Sequence, residues 1–315
     1  MKILVLGANG QLGRIIAGSP ELAAGGEVVL ASRDGIVNGR DIARHVDMAQ
    51  SADLEALLEN VGADVVFNAA AYTAVDRAEQ EELLATRING DALAVIGRWA
   101  AATQALVVHY STDYVFDGCQ SRPYTVEDKT APINAYGRSK LAGERALRAS
   151  GAPHFIFRTA WVYAAHGHNF LRTMFRLANE RSPLRVVNDQ HGTPTPAGLV
   201  ARASLAAVEQ WHRSATGQET SALGTYHLVS SGATTWHDFA VSIFQKAHSM
   251  GLLEAIPDIV PVGSLEFPTP APRPRWSILD NTGFSRRFGF PLPDWRTGLD
   301  DVIHELCAEV NGRSC

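Results

Sequence analysis

The first seventeen residues restrict this chain more than any other stretch. Ile3-Leu4-Val5-Leu6 is a short, unbroken apolar run, the pattern of a strand buried on both faces of a parallel sheet. Directly behind it stands Gly7-Ala8-Asn9-Gly10-Gln11-Leu12-Gly13, a G-x-x-G-x-x-G loop that opens a helix from Gln11 to Ala17. The first glycine permits a tight turn, the second lets the backbone approach a pyrophosphate, and the third lets the helix pack close to the sheet. The amides of Gln11, Leu12 and Gly13 then face the phosphates. Strand, glycine loop and helix in this order predict a dinucleotide-binding unit; a glycine-rich turn with no ligand is the alternative.

The alternation continues. Val28-Val29-Leu30 repeats the strand pattern, and Ser51 to Asn60 carries Leu54, Leu57 and Leu58 at helical spacing with Ser51 as N-cap. Asp64 to Asn68 reads as a strand, Ile88 to Ala102 as a helix, Leu106 to Tyr110 as a strand, Ala135 to Ser150 as a helix and Phe155 to Arg158 as a strand. Alternating strands and helices mean right-handed crossovers and an α/β, Rossmann-type doubly wound parallel sheet. The second half alternates less regularly and holds a proline cluster from Pro257 to Pro274. The expected division is a dinucleotide-binding domain over residues 1–163, to which the chain returns around 195–230, and a smaller, mainly substrate-binding lobe over 164–315 that caps the carboxyl edge of the sheet. The tail from Asn311 to Cys315 is expected to fray.

Composition removes several function classes. With 46% hydrophobic and 19% charged residues in 315, the chain is globular and not disordered. A net charge of −5 and no Lys/Arg cluster argue against nucleic acid as a partner. The three widely spaced cysteines, Cys119, Cys307 and Cys315, fit neither a disulfide framework nor a zinc site, and point to a reducing cytoplasm. Gly7 and Asn9 break the N-terminal apolar run too early for a signal peptide, and no run of about 18 apolar residues offers a membrane span. His166 and His168 lack a paired cysteine or an H-E-x-x-H frame, so no metal is expected and a polar loop is.

Ala31-Ser32-Arg33 follows the second strand, where an acid would hold a ribose 2′-hydroxyl and an arginine accommodates a 2′-phosphate. Arg33 therefore favours NADPH, with NADH as the alternative. Further on, Ser111-Thr112-Asp113-Tyr114 ends the strand from Leu106, and Tyr136-Gly137-Arg138-Ser139-Lys140 opens the next helix. Tyr136 and Lys140 lie four apart on one helix face. A free phenol titrates near ~10 and is a poor acid-base catalyst at neutral pH; a lysine ammonium one turn away, plus a cationic nicotinamide, would favour the phenolate and lower that value. Thr112 places a hydroxyl at the carboxyl end of its strand, where ligands bind in such sheets. Each feature alone has an ordinary structural explanation; their order along the chain discriminates.

That order resembles the extended short-chain dehydrogenase/reductase family over nearly the whole chain. The finer motifs are similar to the branch that reduces the C4 keto group of dTDP-4-dehydro-L-rhamnose. They are Asn68-Ala69-Ala70-Ala71-Tyr72-Thr73-Ala74-Val75-Asp76, Ser111 to Gly118, Tyr136 to Glu144, Arg158-Thr159-Ala160-Trp161-Val162-Tyr163, Asp189 to Thr195, and Pro270 to Pro274. The resemblance implies that Tyr136 is the proton donor, Lys140 its pKa partner and ribose ligand, and Thr112 the hydroxyl that holds the keto oxygen. It places Asp113, Tyr114 and Trp161 around the sugar, and Asp47 and Met48 beside the adenine. Ala69, Ala70, Ala71, Tyr72 and Thr73 would line the cofactor, the last three along its nicotinamide half. Arg273 is a candidate for the diphosphate or else a structural salt bridge. Asn169 with Phe170, and Gln190 with Thr193, either line the nucleotide end or simply pack.

Some members of this family form magnesium-bridged dimers through carboxylates, one of them in the first helix; Gln11 to Ala17 contains no acid, which argues against that bridge. The expected partner is a small nucleotide sugar, and the expected form a monomer or homodimer. Two alternatives stay open. One is a nucleotide-sugar dehydratase or epimerase, although a dehydratase would be expected to follow its catalytic threonine with Asp-Glu, where this chain has Asp113-Tyr114. The other is a non-catalytic regulatory subunit like the beta subunit of methionine adenosyltransferase.

Overall fold

The computed structural model describes residues 1–24, 26–178, 180, 183–215 and 222–312. Seven parallel strands form its central sheet: β1 (Lys2–Leu6), β2 (Glu27–Ser32), β3 (Arg44–His45), β4 (Val65–Asn68), β5 (Leu106–Thr112), β6 (His154–Thr159) and β7 (Gly224–His227). Their spatial order is β3-β2-β1-β4-β5-β6-β7. The order reverses at β1, so the crevice beyond Leu6 is where an open α/β sheet takes a ligand. The strands are apolar without alternation because both faces are covered; all seven residues of β5 are buried.

Eight helices matter for the site: α1 (Gln11–Ala17), α2 (Ser51–Val61), α3 (Ala92–Thr103), α4 (Ala135–Ser150), α5 (Phe170–Ala178), α6 (Ala197–Ala215), α7 (Trp236–Ser249) and α8 (Trp295–Gly312). On one face of the sheet α2, α3 and α4 bury Leu54, Leu58, Leu93, Ile96 and Leu147 against Leu4, Val66 and Val107. On the other, α1 and α6 bury Ile16, Val200 and Ala203 against Val5, Phe67 and Val108. A third core, with Leu171, Phe239, Phe244, Trp295 and Ile303, belongs to the second half of the chain. Residues 224–227 pair with Phe155–Arg158 and extend the central sheet, so the chain comes back to it after the loop from Ala160 onward.

Two local expectations need correction. Ser51 is the first residue of α2, not its cap; Gln50 holds the cap position and makes no side-chain cap bond. The helix expected from Ile88 to Ala102 begins instead with a π-turn over Arg87–Asp91 before α3. The extra residue pushes Asn89 inward, where its carbonyl fits against Gly143 of α4 so closely that a Cβ there would overlap it. At the chain's end α8 continues through Gly312, and the remaining residues, Cys315 among them, lie outside the described residues. Cys119 and Cys307 are free thiols. Among the described residues no helix is long and apolar enough to cross a membrane.

Candidate active site

The register of the sheet gathers the motif residues at one edge. Leu6 is level with Ala31 and Asn68, so Gly7, Ser32 and Ala69 leave their strands side by side; Thr112 is level with Thr159, two residues before Trp161. Gly7 turns with φ +76° and packs so tightly that a Cβ would stand 2.6 Å from the Ala70 nitrogen. A Cβ on Gly13 would overlap the Gly7 carbonyl, which is why α1 can sit down on the loop only with glycine there. Gly10 caps α1 without any side-chain bond, leaving the amides of Gln11, Leu12 and Gly13 to an external acceptor. These features fit a dinucleotide pyrophosphate.

The adenosine end is built less tightly. The buried Ser32 hydroxyl donates to Asp34 (2.9 Å). Arg33 is exposed and enters no hydrogen bond or salt bridge among the described residues, so its guanidinium is available to a phosphate. Asp47 Oδ1 accepts the Ala49 amide (2.9 Å), and Met48 is buried beside it. Across the crevice Ala69 donates its amide to Leu6 (3.0 Å). Tyr72 is locked by Asn89, whose Oδ1 accepts the Tyr72 amide (2.9 Å) while its Nδ2 donates to the Tyr72 carbonyl (3.0 Å). The Tyr72 hydroxyl donates to Glu81 (2.5 Å), Ala71 is half-buried, and Thr73 is exposed.

The catalytic candidates meet where β5 ends and α4 begins. Asn134 caps α4, its Oδ1 accepting the Gly137 amide (2.8 Å), and this fixes Tyr136 in the first turn. The Tyr136 ring packs edge-on against Tyr114, centroids 5.9 Å apart. Thr112 Oγ1 donates to Asp113 Oδ1 (3.0 Å) and accepts the Tyr114 amide (3.2 Å). Burial pushes Asp113 up to about 6, against the pull of Ser277 and Thr112, and its Oδ2 is buried without a well-directed partner among the described residues. In the protein without a bound nicotinamide the Tyr136 phenol is not lowered. Burial, then the Asp113 charge, pushes the phenol up to about 12, with Thr112 pulling the other way. The reason is that Lys140 turns its Nζ away to the Tyr110 carbonyl (2.6 Å) and His109 (3.3 Å), and burial brings this lysine down to about 7. Lys140 and Tyr136 share a helix face, but the Lys140 Nζ is directed to the Tyr110 carbonyl and His109 and not to the phenol.

Beyond them stands an aromatic wall. Trp161 stacks on Trp236 with centroids 3.5 Å apart and planes 7° apart, and Phe170 leans on Trp236 at 4.6 Å. Trp161 holds φ +46°, a strained conformation for a bulky residue, and Gly192 makes room for it, since a Cβ there would overlap the indole. Asn169 ties three segments of the chain together: its Nδ2 donates to Gln11 Oε1 (2.7 Å) and the Ala164 carbonyl (2.9 Å), and its Oδ1 accepts the Arg172 amide (3.0 Å). His166 also reaches the Gln11 carbonyl (3.2 Å), so the loop before α5 is bound directly to the glycine loop. Gln190 and Thr193 spend their side chains internally, on Ser264 (3.0 Å) and the Gly232 carbonyl (2.9 Å). Arg273 pairs with Asp76 (2.9 Å), whose other oxygen accepts the Ala271 amide (3.2 Å); the guanidinium pins the proline-rich loop to the segment after β4.

Several site residues have no signal in the sequence. Trp236 lies at the start of a helix 75 positions after its stacking partner, and Asn89 and Ser277 act through contacts that no spacing encodes. Among the described residues no three His, Cys, Asp or Glu side chains gather as a metal site.

The family described as the RmlD substrate binding domain matches residues 1–308. A dTDP-4-dehydrorhamnose reductase of Burkholderia thailandensis is 44% identical over 312 residues, 98% of this chain and 100% of its own. Among solved structures, the dTDP-4-dehydrorhamnose reductase of Clostridium acetobutylicum superposes with a TM-score of 0.82 at 34% identity, covering 97% of this chain and 99% of its own. That of Bacillus anthracis, solved with NADP, reaches 0.82 at 30% identity over 96% and 99%. The chain therefore belongs to the RmlD substrate binding domain family, that of the dTDP-4-dehydrorhamnose reductases.

Proposed function

We propose that this protein reduces the C4 keto group of dTDP-4-dehydro-L-rhamnose to give dTDP-L-rhamnose, with NADPH as reductant. The reading is carried by one juxtaposition: a proton-bearing phenol, Tyr136, beside the Thr112 hydroxyl, at the strand edge that faces the glycine loop. Bound NADPH supplies the hydride. The amides of Gln11 to Gly13 hold its pyrophosphate and Arg33 its 2′-phosphate; Asp47 and Met48 flank the adenine, and Ala71 to Thr73 the nicotinamide half. With its pKa near 12, Tyr136 is fully protonated at pH 7 and gives its proton as charge grows on the C4 oxygen, a far stronger base than a phenolate. Thr112 stabilises that oxygen by a hydrogen bond. Trp161, backed by Trp236, provides a flat apolar wall for the sugar, and Asp113 offers its free Oδ2 to a sugar hydroxyl. The protein works in the cytoplasm on this small-molecule substrate, as a monomer or homodimer.

The direct test follows NADPH oxidation at the nicotinamide absorbance with dTDP-4-dehydro-L-rhamnose. Steady turnover supports the reading; a protein that binds NADPH tightly yet leaves the sugar unreduced overturns it. Two further results are expected. Arg33→Ala should weaken NADPH by about 10- to 100-fold, the value of a charge-assisted bond of about 1.5–3 kcal/mol, and leave NADH nearly unchanged. Equal losses for both cofactors, measured by fluorescence titration, would remove Arg33 from the 2′-phosphate. For Asp113, ionised above a pKa of about 6, kcat/KM should fall as pH drops through that value, because a neutral carboxyl accepts from a sugar hydroxyl much more weakly than a carboxylate does. Asp113→Asn should lose this acid limb, and a limb that persists unchanged belongs to another group.

A further inference from the structure

The proton donor stands on the first turn of α4, and one side chain ties that turn to a distant part of the chain. Asn134 is 0% exposed. Its Oδ1 accepts the Gly137 amide (2.8 Å), while its Nδ2 donates to the Pro272 carbonyl (2.9 Å), 138 positions further on. Both directions are fixed by the main chain. A backbone N–H only donates and a proline carbonyl only accepts, so the carboxamide has a single orientation. The helix cap needs only the first bond. The second leaves the helix and fastens it to the proline-rich loop of the second half.

That loop touches the elements around the sugar in turn. The Ala271 amide and the Arg273 guanidinium take the two oxygens of Asp76, in the segment after β4 (3.2 and 2.9 Å). Pro274 is pressed against Gly118, beyond β5, where a Cβ would overlap it. The Arg275 carbonyl accepts the His191 amide and the Ser277 amide donates to the His191 carbonyl, each at 2.8 Å, and Ser277 borders Asp113. The turn itself is braced on its other side. The Ala135 amide donates to Glu79 (2.7 Å), and a Cβ on Gly137 would overlap the Tyr114 carbonyl. Those braces stay within the first half of the chain; the bond from Asn134 to Pro272 crosses to the second.

We infer that Asn134 is a positioning residue acting through Tyr136, its carboxamide clipping the first turn of α4 to the Pro272 carbonyl so that the proton donor keeps its place against the second half of the chain. A cap alone would fix Tyr136 on α4 and leave α4 able to shift against the loop. A displacement of about 1 Å at the reacting atoms costs about 10²-fold in rate. The loss falls on the chemical step, because cofactor and sugar keep the residues that bind them. The rate readout rests on the reductase reading; the clip does not, and a second readout follows it without turnover.

Asn134→Asp and Asn134→Ser both keep a good helix cap. The carboxylate sets an acceptor against the Pro272 carbonyl, and the serine side chain, bonded to Gly137, is too short to reach it. Each should lower kcat by about 10- to 100-fold per mole of NADPH-binding sites, with KM for the sugar and the NADPH Kd within about threefold. Undiminished kcat in Asn134→Ser, or a loss confined to KM, overturns the inference. Arg273→Gln, which unpins the same loop from Asp76, should also lower kcat, and the double variant with Asn134→Ser should lose less than the product of the single losses. Multiplying losses would mean that the two act by separate routes, and the clip to the loop is then wrong. Amide hydrogen exchange reads the clip with no substrate present. Asn134→Ser should speed exchange by about tenfold or more over residues 271–277, and Arg273→Gln over residues 135–138. Those changes in a protein that reduces no sugar would sink the reductase reading and leave the clip standing. Unchanged exchange at 271–277 in Asn134→Ser removes the clip, whatever the enzyme reduces.

Discussion

Tyr136→Phe is expected to lower kcat for NADPH oxidation by about 10²- to 10⁴-fold, the usual contribution of a positioned proton donor. The loss should fall on kcat and kcat/KM alike, because the proton moves only as the transition state forms. NADPH affinity should stay within about twofold: the ring is retained, it keeps its edge-on contact with Tyr114, and the glycine loop is untouched. A variant that keeps more than a tenth of the wild-type kcat would mean that another group, with Thr112 the nearest hydroxyl, delivers the proton. The high phenol pKa sets a second requirement. The wild-type rate should not decline between pH 7 and 9, since Tyr136 holds its proton throughout that range.

The second large effect is on stability. Glu144 of α4 is fully buried and accepts two bonds from Arg158 of β6, at 2.9 and 2.8 Å, and one from Arg148 at 2.7 Å. Glu144→Gln should cost about 3–5 kcal/mol in urea unfolding at pH 7, because the Arg158 guanidinium, 2% exposed, would then be buried without a counter-charge. Burial pushes the Glu144 carboxyl up, but the arginines and Ser111 outweigh it and hold it below its ordinary value. A depressed carboxylate stabilises the fold above its unfolded pKa of about 4.3, and that contribution is lost as pH falls through the lower, folded value. The wild type should therefore lose stability more steeply than Glu144→Gln below about pH 4.5, and the two curves should converge in acid. Parallel curves would show that the pair contributes no net charge stabilisation.

The parts of the molecule legible in the sequence are those encoded locally. A continuous apolar run with three spaced glycines behind it specifies β1, the loop and α1, because each glycine answers a contact within a few residues or across one strand. Tyr136 with Lys140, and Thr112 at a strand end, were legible from spacing and order. What Lys140 touches was not: His109 sits inside the apolar strand Leu106 to Thr112 and looks like any core residue until the register sets it level with Asn68. Arg273 and Asp76 are 197 positions apart, so nothing in the sequence distinguishes a structural pair from a phosphate ligand. The π-turn escaped because one added residue hardly disturbs a 3.6-residue period. The Ser51 cap was misplaced by one position, within the usual uncertainty of helix ends.

The return of the chain to its own sheet bears on how the protein is made. Strand β6 is followed by some sixty residues before β7 arrives to pair with it. At a synthesis rate of about 5–20 residues per second, β6 emerges from the ribosome several seconds ahead of its outer neighbour. During that interval its outer row of amides and carbonyls, flanked by the apolar Phe155 and Phe157, is an open template for any other extended segment. The nascent first half is thus exposed to misassociation that the finished molecule no longer risks, and slowing translation between the two strands should raise the aggregated fraction and leave the properties of the soluble product unchanged.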